Sequence, residues 1–385
     1  MERKKICFVV ALPVTAKAFL RDHIHALSEF YDVYLVGNIQ DQQEVQGLDL
    51  KGWQSIDIVR GISLRYDAKA VIQAARYFKK MGFDAVHSVT PKAGLVTALA
   101  GKLVGIKHRT HIFTGQVWAT KKGAMRALLK AIDKIIVRFN NHILVDGKSQ
   151  REFLVKEGVL REGQAEVFGH GSISGVNSER FLPDENVRRN LRGEIGIKDN
   201  VLCFVFLGRL NHDKGIGELY EAYNRLAEKR KDVFLLLVGK DEEKYISKLG
   251  NYVNIIEGDN FHYYGHTMEP EKVLNAGDVY VLPTYREGFG TSVLEAACIG
   301  LPSICSDAYG VRDAYVVNET GLCCKVGDSE SLYDCMKFMC DNRLFVSEMG
   351  KKSRERALRD FDGSRLTQYW LDFYRRILPI NIERF

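Results

Sequence analysis

The chain has 385 residues, about twice the usual domain size, so two domains are expected, each burying its own core. A hydrophobic fraction of 46% and a charged fraction of 27% exclude the disordered, fibrous and membrane-spanning classes. The net charge of +6 is unevenly spread: residues 1–183 hold 27 Lys and Arg against 17 Asp and Glu, and 69–138 hold 14 bases against Asp84 and Asp133 alone. That imbalance points to an anionic surface or ligand met by the N-terminal half.

Met1-Glu2-Arg3-Lys4-Lys5 runs straight into a strand-like segment with no small-residue cleavage site, so no signal peptide is expected. Short β-branched or apolar runs then alternate with longer amphipathic ones, the pattern of an α/β protein with parallel sheets. Strands are expected at 6–10, 33–36, 56–59, 85–88, 110–113 and 142–145. Residues 121–139 read as a basic amphipathic helix. Lys122, Arg126, Lys130, Lys134 and Arg138 recur every four residues beside Met125, Leu128, Leu129, Ile132, Ile135, Ile136 and Phe139.

After a polar boundary segment over 181–200, further strands are expected at 202–207, 234–238, 253–256, 279–282 and 303–305. The division is then an N-terminal domain of 1–183, a C-terminal domain of 184–363, and a tail of 364–385 whose amphipathic helix over 364–378 reaches back to the N-terminal domain. The economical architecture is two doubly wound, Rossmann-like domains facing each other across a cleft. No apolar run approaches the roughly eighteen residues of a membrane span. The eight cysteines sit mostly in apolar stretches without a C-x-x-C pair, which reads as reduced thiols in the cytoplasm.

Three motifs are set aside. Gly169-His170-Gly171 with Gly175 has the wrong spacing for a dinucleotide fingerprint and reads as a glycine-rich interdomain loop. Asp360-Phe361-Asp362 is a D-x-D of the kind that holds divalent ions, but at a helix end it reads as a solvated terminus. The ten histidines show no ligand spacing, so neither metal nor cofactor is expected.

Chemistry concentrates in two segments. In Leu282-Pro283-Thr284-Tyr285-Arg286-Glu287-Gly288-Phe289-Gly290-Thr291-Ser292-Val293-Leu294-Glu295-Ala296, a strand ends, a glycine turn follows, and a helix begins near Thr291. Unpartnered N–H groups at such a helix start, at the positive end of its dipole, bind phosphate. In Gly208-Arg209-Leu210-Asn211-His212-Asp213-Lys214-Gly215, a strand again opens on a glycine turn, with an Arg and a Lys suited to a diphosphate.

With its E-x7-E and upstream Arg-x4-Lys, the chain resembles the family 4 glycosyltransferases, retaining enzymes of the GT-B fold that use sugar nucleotides. It looks most like bacterial enzymes that build O-antigen, capsule or related lipid-linked glycans. Supporting stretches are Thr114-Gly115-Gln116-Val117-Trp118, Val145-Asp146-Gly147-Lys148-Ser149-Gln150-Arg151-Glu152-Phe153-Leu154 and Gly171-Ser172-Ile173-Ser174-Gly175-Val176. The resemblance implies that Arg209 and Lys214 bind the donor diphosphate and neutralise the leaving charge. It gives Glu287 the hydroxyls of the transferred sugar, Gly208, Gly288, Phe289, Gly290 and Thr291 the donor contacts around them, and Glu295 the ribose. Gly265 and His266 match the loop beside the base, and His111 matches a histidine that lines the acceptor side. Asp146 is expected to cap the helix after it.

The first strand-to-helix loop, Ala11-Leu12-Pro13-Val14-Thr15-Ala16-Lys17, lacks the glycines common in the family, so no glycine role is carried over there. The basic helix is expected to lie on anionic lipid, on the inner face of the cytoplasmic membrane. The expected partners are a nucleotide-sugar donor, UDP favoured, and a lipid-linked glycan acceptor; nucleic acid is not expected. The alternatives are a GDP-sugar transferase of mannosyl or fucosyl type, a sugar-nucleotide epimerase on the same fold, and a binding relic without activity.

Overall fold

The structure is a computed structural model that describes residues 3–59, 61 and 63–380. It contains two compact units, one of residues 1–175 with 363–385 and one of 176–362.

The first unit is built on six parallel strands: β1 (Lys5–Val9), β2 (Asp32–Gly37), β3 (Gly52–Ser55), β4 (Ala85–Val89), β5 (His108–Phe113) and β6 (His142–Val145). Their order is β3-β2-β1-β4-β5-β6. β1 and β4 are buried on both faces, so neither alternates: β1 runs apolar after Lys5, and β4 buries His87 and Ser88 along with its apolar residues. The helix Gly363–Ile377 belongs to this unit and sets Leu366, Trp370, Phe373 and Tyr374 into the core beside Phe8, Ile24 and Tyr31.

The second unit repeats the plan with β7 (Leu202–Leu207), β8 (Val233–Val238), β9 (Phe261–Gly265), β10 (Val279–Leu282), β11 (Ser303–Ser306) and β12 (Gly321–Cys324). All pairings are parallel, in the order β12-β11-β10-β7-β8-β9. Counted from its own first strand, this is the same doubly wound order as in the first unit, with the winding reversing between the first and fourth strands of each.

Most expected strands fall where the sequence places them, and the differences have physical reasons. The strand expected at 56–59 lies instead at Gly52–Ser55, an edge strand with little apolar character; Ile56 and Ile58 are buried just past its end. The strand expected at 253–256 is irregular chain in which Val253 is 81% exposed, and the pairing with β8 is made by Phe261–Gly265. β12 was not anticipated: four residues ending in two cysteines carry no strand signal of their own.

The first unit ends at Gly175 rather than at 183, because Val176 N–H donates to Phe361 O at 2.9 Å and Phe181 joins the second core. Ser178 donates to the Asp362 carboxylate at 2.5 Å. Asp360-Phe361-Asp362 is therefore a packed seam and not a solvated terminus: Phe361 is fully buried, 5.3 Å from the Phe289 ring, and Asp360 accepts from Arg359 at 2.7 and 2.8 Å. The glycine-rich 169–175 segment serves the first unit. Gly169 is at φ +53° with the Tyr369 ring where a Cβ would stand, and Ile173 O accepts from Trp370 Nε1 at 3.0 Å. Gly147, not Asp146, occupies the N-cap of the helix Lys148–Lys156.

Candidate active site

In the second unit the two loops singled out by sequence follow β7 and β10, the strands that flank its winding reversal. Their backbones come close enough that side chains are excluded. A Cβ on Gly239 (φ +138°) would stand 1.8 Å from Gly208 O, and one on Gly215 (φ +71°) would stand 2.0 Å from Pro283 O. Glycine at these positions lets the loops after β7, β8 and β10 converge.

Lys214 ends a short 3-10 turn, His212–Lys214, and Gly215 then opens the helix Ile216–Lys229. The Lys214 ammonium donates to the Glu287 carboxylate, and both side chains are largely withdrawn from solvent. The expected diphosphate and sugar ligands are thus brought together as an ion pair. Arg209 is not joined to them. It is 56% exposed and donates to Glu242 at 3.1 Å, while Asn211 donates to the same carboxylate at 2.9 Å. Those two bonds, Asn211 first, hold the Glu242 carboxyl below its ordinary range.

Glu287 is held by its neighbours rather than by its own packing. Arg286 donates to the Asp213 carboxylate at 2.6 and 2.9 Å, Tyr285 N–H donates to Asp213 O at 2.8 Å, and the Thr284 hydroxyl donates to that carbonyl at 2.9 Å. The Tyr285 ring stacks on His212 at 4.7 Å. Four consecutive residues after β10 are therefore keyed to the turn that carries Lys214. Asp213, Arg286 and Glu242 were not assigned roles from sequence; for Asp213 and Arg286 the signal available was an opposite charge adjacent to Lys214 and to Glu287, while Glu242, beyond β8, carried none.

Gly288 lies half-buried in the loop, Phe289 turns its ring into the core, and Gly290 at φ +90° starts the helix Thr291–Ile299 with no side-chain cap. Val293 N–H donates to Gly290 O at 2.9 Å, and the N–H groups of Thr291 and Ser292 ahead of it are left for a ligand or water. Tyr280 Oη donates to Leu207 O at 3.1 Å and shares a 2.7 Å bond with Ser292 Oγ, tying the end of β7 to that turn. Glu295 sits one turn further on, and burial pushes its carboxyl up to about 7, with Arg180 lowering it and Glu271 raising it. Arg180 is itself spent on Glu271, at 2.8 Å. Gly265 ends β9 at φ +79° and accepts from Gly239 N–H at 2.8 Å, and His266 after it is exposed.

His111, expected on the acceptor side, lies in the first unit, and its Nε2 is buried without a hydrogen-bond partner among the described residues. It is fully buried on β5, bonded through Nδ1 to Ser88 Oγ at 2.9 Å and packed against Gly94, where a Cβ would stand 2.5 Å from the ring. Burial lowers its pKa to about 3, which keeps the ring neutral.

The basic helix runs over Gly123–Phe139. Arg126 and Lys130 do not belong to its solvent face: both pair with Glu157, at 2.9 and 2.8 Å, and both lie over the Trp118 ring. Lys121, Lys122, Lys134 and Arg138 are exposed, as are Met125, Leu128 and Ile135. No described helix is long and apolar enough to cross a membrane.

Residues 187–356 match the family described as glycosyl transferases group 1. The chain is 26% identical over 347 residues, 90% of each sequence, to the capsular polysaccharide biosynthesis glycosyltransferase CapM of Staphylococcus aureus. It is 26% identical over 310 residues to the UDP-Gal:alpha-D-GlcNAc-diphosphoundecaprenol alpha-1,3-galactosyltransferase of Escherichia coli, covering 79% of this chain and 78% of that one. The crystal structure of HepE from Anabaena in complex with UDP has the same fold, with a TM-score of 0.79 at 16% identity, covering 97% of this chain and 100% of that one. The fold is GT-B, and the chain resembles bacterial surface-polysaccharide glycosyltransferases over most of its length.

Proposed function

We propose that this chain, whose second unit carries a glycosyl transferases group 1 region, is a retaining, metal-independent hexosyltransferase. It moves a hexose or N-acetylhexosamine from a UDP-sugar to a polyprenyl-diphosphate-linked glycan. The observation that carries this reading is the Lys214–Glu287 pair beside the uncapped start of the helix Thr291–Ile299. It brings together a cation, a carboxylate and a helix dipole, the three groups that would suit a sugar diphosphate.

In this reading the donor diphosphate lies against the helix start and takes Lys214 away from Glu287, which turns to the sugar hydroxyls. Arg209 leaves Glu242, an exposed pair of little worth, and joins the diphosphate. As the bond from the anomeric carbon to the phosphate oxygen breaks, charge develops on the diphosphate; fixed cations and N–H groups stabilise it without reorganising. The acceptor hydroxyl attacks from the same face and its proton passes to a donor phosphate oxygen, so the configuration is kept. Glu295 binds the ribose hydroxyls, and Gly265 and His266 flank the base.

The preference for UDP and for a lipid-linked acceptor is supported by the E. coli relative, whose name gives both, and by a UDP-bound structure of the same fold. A place on the inner face of the cytoplasmic membrane is supported by the proposed acceptor and by the exposed Lys134 of the helix Gly123–Phe139 with Lys121 and Lys122 before it. A thermal-shift panel of UDP, GDP, ADP and their sugar conjugates without added metal tests the donor. UDP at about a hundred times its Kd stabilises by about 2.7 kcal/mol. A response to GDP alone moves the reading to a GDP-sugar transferase, and donor turnover without acceptor moves it to an epimerase.

A further inference from the structure

A cavity of about 310 Å³ opens in the first unit, lined by residues that follow β1 and β4 together with Trp118 and the helix Gly123–Phe139. β1 and β4 flank the winding reversal of the first sheet, as β7 and β10 do in the second. This is where open α/β sheets take ligands. The cavity thus holds in its own unit the place that the Lys214–Glu287 site holds in the other, and its volume lies at the lower end of small-molecule sites.

Its chemistry is different. Leu12, Pro91, Leu95, Trp118, Leu129 and Ile132 supply the walls. The charged groups in the lining are already engaged: Lys92 pairs with Asp67 at 2.5 Å, and Asp133 accepts from Trp118 Nε1 at 2.6 Å. Thr15 and Thr90 are the hydroxyl side chains in the lining, and Thr90 Oγ1 is buried without a partner among the described residues; the walls around them are apolar and suit an apolar chain.

The apolar surface continues outside the cavity. Met125, Leu128, Leu129 and Ile132 stand at i, i+3, i+4 and i+7 and share one helix face. Leu129 and Ile132 line the cavity, while Met125 and Leu128 are 49% and 47% exposed, with Ile135 beyond them. Lys121 and Lys122, exposed between Trp118 and the helix, offer an anionic group a partner beside this strip.

We propose that the cavity takes the first isoprenoid units of a phosphate-headed polyprenyl acceptor, with the chain continuing along Met125, Leu128 and Ile135 and the head group met by Lys121 and Lys122. The proposal rests on the lipid-linked reading of the acceptor and adds which residues hold the lipid.

The test is calorimetric titration of the full chain with farnesyl diphosphate, kept below its aggregation concentration, and with inorganic diphosphate. The wild type, Ile132→Trp and Leu95→Trp, which fill the cavity, and Ile132→Val, which does not, are compared. Farnesyl diphosphate is expected to bind the wild type at least about tenfold more tightly than inorganic diphosphate. Ile132→Val keeps that preference and both Trp variants lose it, while all four proteins keep the UDP thermal shift. Equal affinity for the two probes in the wild type, or an unchanged preference in both Trp variants, overturns the assignment. Because UDP binding is read separately, the two readings fail apart. A wild type without the farnesyl preference but with an intact UDP shift sinks the cavity alone. An intact preference with no UDP shift upholds the cavity and sinks the UDP-sugar reading of the donor.

Discussion

Arg286 and Asp213 are 73 residues apart in sequence and form a two-point ion pair, through Nε at 2.9 Å and Nη2 at 2.6 Å. Each is the immediate neighbour of a charged site residue, Glu287 and Lys214, so the pair fixes the spacing of the two groups that contact each other beside it. Arg286→Ala is expected to cost about 1–3 kcal/mol of stability and to lower kcat more than it raises KM, since geometry rather than contact is lost. The exchanged double variant Asp213→Arg/Arg286→Asp should recover part of kcat. A purely structural pair would show no such recovery in a double-mutant cycle at matched stability.

Lys214→Ala removes the cation that faces Glu287 and, in the proposed reaction, the leaving diphosphate. The expected loss is about 10²–10³ in kcat. Transfer from radiolabelled donor at saturating acceptor measures it, and turnover near wild type would remove Lys214 from the diphosphate site. Lys214→Arg, longer and planar, should recover only part of the rate.

Glu295 gives a pH signature. Its carboxyl is held up to about 7 by burial, above an unfolded value near 4.5. The folded protein therefore holds a proton there that the unfolded chain has lost, and stability falls as pH rises from about 4.5 through 7. Glu295→Gln removes that dependence. Its Tm should exceed wild type by about 2–4 °C at pH 8 and match it at pH 4.5, in calorimetry without ligand. A constant difference across that range would refute the buried-proton account.

Acid should release the helix Gly363–Ile377. Trp370 lies stacked between His23 and His87, each at 4.9 Å, and His87 Nδ1 meets Tyr374 Oη at 2.9 Å. Burial lowers His23 to about 4 and His87 well below its ordinary value. Both are neutral when folded and charge more readily when unfolded, so their stability contribution is complete above about 6.5 and is lost as pH falls toward 4. Hydrogen exchange followed by mass spectrometry should show the amides of this helix losing protection at pH 5 relative to pH 7, after correction for intrinsic rates. Unchanged protection would mean that the histidines do not govern docking.

For lipid binding, the side chains to change are the solvent-facing ones. Lys121→Glu, Lys122→Glu and Lys134→Glu together should abolish sedimentation with anionic liposomes while UDP binding persists, at about 1 kcal/mol lost per base. Arg126→Glu should instead disturb the contacts with Glu157 and Trp118, and appear as lost stability.

The strands that carry the site were legible because β7 and β10 are uninterrupted apolar runs, buried on both faces. Glu287 and Glu295 were legible because they flank a glycine turn that opens a helix. The edges were harder: β3 and β9 are partly exposed and carry mixed side chains, so no apolar run or alternation marks them. Long-range pairing was beyond reach as well. Nothing near Arg209 announces Glu242, and nothing in the His111 segment distinguishes a core ring bonded to Ser88 from one that faces a substrate.

The helix Gly363–Ile377 also sets an order of events during synthesis. The second unit is complete once residue 362 has been made, whereas the first lacks the side chains of Leu366, Trp370, Phe373 and Tyr374 from its core until the helix Gly363–Ile377 emerges. The unit that begins first therefore finishes last. On the ribosome its sheet waits with an apolar face open, the period in which chaperones and aggregation compete for a nascent chain.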